Sequence, residues 1–188
     1  MIIGATPKTA LLLIVLLAAP GGFVQGAISN VFDEVGFEQR LGSRIPFEAE
    51  FVDADGQPVT LGNYLGRRPL VLVLNYYTCP NLCTATLDGL VHTMKQMKLR
   101  PGRDYDLLAV SIDPKETPAE AHARKAEYME SFGTPRAASG WHFLTGSERT
   151  IRQLAERVGF RYRYDPELGQ YAHAAGLLSL AWLPPGVG

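Results

Sequence analysis

Two stretches fix most of what this chain can fold into: residues 69–76 read PLVLVLNY and residues 106–112 read DLLAVSI. Neither alternates apolar with polar, as a half-exposed strand would. Both are the continuous, Val- and Leu-rich kind that a strand needs when each of its faces is covered. Between them, Leu87, Leu90, Val91, Met94 and Met97 recur at helical spacing from Cys83 onward, which predicts a helix with Met94 and Met97 in the core. Thr117-Pro118-Ala119-Glu120 is a capping box with proline in the first helical position, so a second helix should run to about Phe132. Residues 141–144 read as a short strand, and Ser147 caps a helix through about Val158. Residues 160–164 and 174–182 read as two further strands around a loop at 165–170. Ahead of all this, residues 47–52, the turn Asp53-Ala54-Asp55-Gly56 and Pro58-Val59-Thr60 predict a hairpin, followed by one helical turn at 61–65. Strands alternating with helices predict an α/β domain of three layers.

The N-terminus carries a different signal. Lys8 precedes an unbroken apolar run at 10–19, then Pro20-Gly21-Gly22 and the small residues around Gly26. A positive start, a short apolar stretch and a small-residue cut site describe a secretory leader over residues 1–26. A spanning helix would need roughly 20 apolar residues, so an uncleaved anchor is the alternative. In either case residues 45–188, joined by an arm or linker at 27–44, are expected outside the cytoplasm, in a periplasm or on the outer face of the inner membrane. With 46% hydrophobic residues, 20% charged and a formal net charge of -1, the chain is an ordinary globular one without the basic face of a nucleic-acid binder.

Export changes how the two cysteines, Cys79 and Cys83, are to be read. An even count in an oxidising compartment defaults to a disulfide. A bridge over so small a loop restrains the unfolded chain only weakly, however, so chemistry explains a local pair better than stability does. The pair lies where a buried strand gives way to a helix, and a helix N-terminus favours thiolate over thiol. If the stretch is helical, the i, i+4 spacing puts both sulfurs on one face with Cβ atoms about 5–6 Å apart. Such a pair can close into a disulfide or hold one soft metal ion.

Copper(I) accepts two sulfurs, and copper(II) wants an imidazole as well. His92 stands nine residues past Cys83, about 180° round a helix. His122 reads as solvated and His142 as structural. His173, in Tyr171-Ala172-His173-Ala174, reads on position alone either as structural or as a ligand. Met94 would lie about 16 Å along the helix from Cys83 and is no candidate.

Three strings together resemble the Sco/SenC family: Tyr76-Tyr77-Thr78-Cys79-Pro80-Asn81-Leu82-Cys83, Ser111-Ile112-Asp113-Pro114 and Tyr171-Ala172-His173. The resemblance covers roughly residues 42–180. It implies a thioredoxin-like fold and one copper, Cu(I) or Cu(II), held by Cys79, Cys83 and His173. It also implies a part in building the binuclear copper site of a respiratory cytochrome c oxidase, with the copper-receiving oxidase subunit as partner and a copper donor or thiol-disulfide partner besides. Asp113 matches the family's acidic residue and would either support the ligands from behind or close a turn. Thioredoxin-type reductases place two residues between their cysteines and a cis-proline before a later strand. Here there are three, and no proline precedes His173. Family members continue past the histidine with a turn, a strand and a closing helix, whereas 15 residues follow His173 here, so an incomplete C-terminal end with an exposed sheet edge is expected.

Three functions fit these residues: a copper metallochaperone, a thiol-disulfide reductase with Cys79 attacking and Cys83 resolving, or an inert disulfide in an interaction domain. His173 separates the first two, because thiol exchange does not need it.

Overall fold

The computed structural model describes residues 34–79, 82–133 and 139–180, except the side chains of Leu82, Cys83 and Thr84. The leader at 1–26 and the C-terminal residues 181–188 lie outside them. Two sheets are formed. The larger has six strands: β2 (Glu50–Asp53), β3 (Pro58–Thr60), β4 (Leu70–Asn75), β5 (Asp106–Ser111), β6 (Trp141–Thr145) and β9 (Leu178–Leu180). Their order is β3-β2-β6-β5-β4-β9. β4, β5 and β6 are parallel neighbours, and β2 and β9 join antiparallel. The smaller sheet sets β1 (Gly36–Phe37), β7 (Phe160–Asp165) and β8 (Gln170–His173) in the order β1-β7-β8.

The buried runs behave as their composition requires. Alternate residues of the central strands feed opposite cores. Leu70, Leu72, Leu74, Leu108, Val110 and Leu144 enter one, with Ile151, Leu154 and Val158 of α3 (Glu148–Val158). Val73, Leu107, Ala109, Trp141 and Phe143 enter the other, with Leu87, Val91 and Met94 of α1 (Leu82–Gln96) and Tyr128 of α2 (Pro118–Phe132). Three layers result, as expected. The hairpin β2–β3, the single 3-10 turn at Leu61–Asn63 and both predicted caps are also present.

Four local expectations change. α1 begins at Leu82, so Cys79 is not helical and the i, i+4 geometry does not hold. Proline at 80 disfavours helical backbone in the residue before it. Met97 lies past the end of α1 and is 43% exposed, so it is not a core residue. Of the strand expected at 174–182, only Leu178–Leu180 forms, as β9 paired with β4, and a strand not expected, β8, precedes it and ends at His173. Finally, the arm at 27–44 contains β1, which pairs Phe37 with Phe160.

Candidate metal centre

β4 delivers the chain to the C-terminal edge of the large sheet. Tyr76 and Tyr77 then leave in opposite directions, Tyr76 into the α3-side core and Tyr77 into the core under α1 and α2. The Tyr77 hydroxyl lies 2.7 Å from the Leu144 carbonyl and 3.0 Å from that of Ala109. Burial, helped by the Glu116 charge, pushes its pKa well above the ordinary phenol value, so it remains a proton donor. Cys79 follows, 7% exposed, in the same buried cluster as Tyr76, Ile112 and Phe160. Cys83 is the second residue of α1, where open backbone N–H groups and the positive end of the helix dipole favour a thiolate.

His173 reaches the same place from the other sheet. It is the last residue of β8, opposite Tyr162 of β7. Its half-buried ring stands edge-on to Tyr76 at 5.9 Å and 6.2 Å from Phe160, centroid to centroid. Nδ1 lies 3.0 Å from the Ala174 carbonyl. A carbonyl can only accept, so this contact assigns the proton to Nδ1 and makes Nε2 the unprotonated nitrogen of the ring. Burial holds the ring's pKa below the ordinary histidine value, and the Ala174 hydrogen bond opposes this more weakly. The imidazole is therefore neutral near pH 7, the form a metal requires.

Of the two roles weighed for Asp113, the structure shows the turn. Its Oδ1 accepts the Lys115 N–H at 2.9 Å, closing a turn, and lies 3.5 Å from the Tyr171 hydroxyl on β8. Burial and the Asp113 charge push the Tyr171 pKa up to about 12. The other histidines stand apart. His92 is exposed and meets Gln96 at 2.7 Å, His122 is exposed and 3.7 Å from Asp55, and His142 packs half-buried on Tyr64 at 4.6 Å. Among the described residues no three His, Cys, Asp or Glu side chains form a metal-binding group, and that set omits the Cys83 side chain.

One residue of the site escaped the sequence reading. Glu116 is 7% exposed and accepts four hydrogen bonds. Thr78 donates its N–H (2.7 Å) and hydroxyl (2.8 Å) to Oε1, while Tyr77 N–H (2.8 Å) and the Ser111 hydroxyl (2.5 Å) donate to Oε2. Its only sequence cue is a carboxylate just ahead of a cap that Glu120 already completes.

A buried cysteine leaving a central parallel strand, a second at the start of the next helix and a hairpin packed against the core that holds the first define a thioredoxin-like thiol domain. A family model described as SCO1/SenC matches residues 38–178. The chain belongs to the SCO1/SenC family. No curated protein matches it. Among solved structures, an Aquifex aeolicus VF5 protein is similar at 21% identity and TM-score 0.59, covering 75% of this chain and 78% of its own. A SCO1/SenC family lipoprotein from Bacillus anthracis str. Ames is 22% identical at TM-score 0.57, covering 77% and 82%. Arabidopsis thaliana ScoI, solved with copper bound, is 23% identical at TM-score 0.56, covering 70% and 78%. At such identities these structures share the fold.

Proposed function

We propose that this chain is a copper metallochaperone. It takes one copper ion on Cys79, Cys83 and His173 and passes it, outside the cytoplasm, to the copper-receiving subunit of a respiratory cytochrome c oxidase. The observation that carries this reading is Tyr76: it shares a buried cluster with Cys79, and its ring meets that of His173 at 5.9 Å. Tyr76, three residues before Cys79, thus links the strand that leads to the thiols with the hairpin that carries His173. The donor set also fits. Soft thiolates suit copper(I), and a neutral imidazole with an unprotonated Nε2 adds what copper(II) prefers. Asp113 lies 3.5 Å from the hydroxyl of Tyr171, two residues before His173 on β8. Arabidopsis thaliana ScoI, of similar fold, was solved with copper bound, which supports copper as the ion proposed here. Reductase chemistry would use the same thiols, but a Cys79 that is 7% exposed is poorly placed to attack a protein disulfide.

Titration of the reduced protein should show uptake of one equivalent of copper, lost in Cys79→Ser and in Cys83→Ser. His173→Ala should weaken copper(II) binding at least tenfold while leaving the thiol-exchange rate within about twofold, where tenfold corresponds to about 1.4 kcal/mol. Tight copper(II) retention by His173→Ala would remove the three-ligand reading.

A further inference from the structure

A carboxylate as enclosed as that of Glu116 needs partners to offset its lost hydration. Its two oxygens offer about four lone-pair sites, and four neutral donors fill them at 2.5–2.8 Å. Two of those donors are the successive backbone N–H groups of Tyr77 and Thr78, the residues immediately before Cys79. Arg124 of α2 donates to the Tyr77 carbonyl, so both polar groups of that residue's backbone are held by side chains. Helix capping does not account for the arrangement. α2 is capped by Thr117 with Glu120, whose Oε2 takes the Thr117 N–H at 2.7 Å. Glu116 turns instead to a loop 38 residues earlier.

We propose that Glu116 is a positioning residue for the metal centre: with Arg124 it locks the peptide groups of Tyr77 and Thr78, and so fixes the backbone that carries Cys79 before any ion arrives. The proposal rests on the copper-binding reading for its consequence, but the clamp itself is a property of the copper-free chain. Ordering the loop beforehand spares the metal that work, which is the general advantage of a preorganised site. Glu116→Gln keeps the shape but puts an NH₂ group where donors converge, so about half of the clamp is lost.

The test compares Glu116→Gln with Leu107→Val, a buried substitution at the opposite end of β5 that lowers stability without touching the loop. Copper(II) affinity should fall at least tenfold in Glu116→Gln, with a shifted thiolate-to-copper charge-transfer band, and neither should change in Leu107→Val. A second readout needs no metal. In a Cys83→Ser background, alkylation of Cys79 by iodoacetamide at fixed pH should accelerate at least tenfold with Glu116→Gln and stay within twofold with Leu107→Val. If the wild type takes up no copper, the function proposed above fails and the alkylation rates alone decide the clamp. Should Glu116→Gln not fold, Thr78→Val removes one donor at constant shape and should shift both readouts in the same direction. A folded Glu116→Gln with unchanged alkylation of Cys79 overturns the proposal.

Discussion

His142 shows how a single residue couples the fold to pH. Burial against Tyr64 lowers its pKa below the ordinary value. Asp106 and Asp53 pull it up, Lys125 and Arg68 push it down, and burial is the largest influence. As pH falls below about 6.5 the unfolded chain takes up the proton and the folded one resists. The unfolded state then binds more protons, so stability falls with falling pH until the folded ring titrates too. Melting temperatures should therefore drop more between pH 7.5 and 5.5 for the wild type than for His142→Gln, and equal drops would refute this. The contrast between His142 and His173 also marks how far single residues can be read from sequence. Both are half-buried against a tyrosine ring. Only the motif around each distinguished them. Cys79 and Cys83 were legible because their chemistry is rare and their spacing short. Glu116 was not, since its meaning lies in a loop that only tertiary folding brings to it.

Elements were legible wherever the signal is local. The Thr117 and Ser147 caps stand where the sequence puts them, and Thr117→Ala should cost about 1 kcal/mol in a urea titration. The arm at 27–44 had no periodicity to read, because β1 is held by backbone. Glu38 N–H donates to the Gly159 carbonyl at 2.7 Å, and a Cβ on Gly159 would meet the Glu38 carbonyl oxygen at 1.8 Å. Gly159 also caps α3 at φ 71°, a conformation costing a side chain about 1–2 kcal/mol by itself. Gly159→Ala should therefore destabilise by more than about 2 kcal/mol, and proteolysis should free the β1 arm before the core opens. β8 was misplaced for a related reason. The apolar letters cluster after His173, whereas β8 is set by its register with β7, with Tyr171 opposite Tyr164, and by a turn through Gly169 at φ 64°. Hydropathy does not report that pairing.

At the scale of the molecule, the candidate site straddles a joint. The thiol loop belongs to the six-stranded sheet and His173 to the three-stranded one. Rings join them: Tyr76, just past β4, meets Tyr171 at 5.6 Å and His173 at 5.9 Å. The two sides are unequally anchored. β5 is buried along all six residues between β4 and β6, whereas β8 is an edge strand of four half-buried residues. Local opening should then begin at β8 at a lower free energy than global unfolding, with Tyr76 as the main contact opposing it. Tyr76→Leu keeps an apolar side chain there and removes the ring contacts. Amide hydrogen exchange across β7 and β8 should accelerate at least tenfold in this variant while the β4–β5 amides keep their protection. Copper(II) affinity should weaken in parallel although every proposed ligand remains. If β7–β8 exchange is unchanged and affinity still falls, the ring acts on the metal site directly and the joint is held by something else.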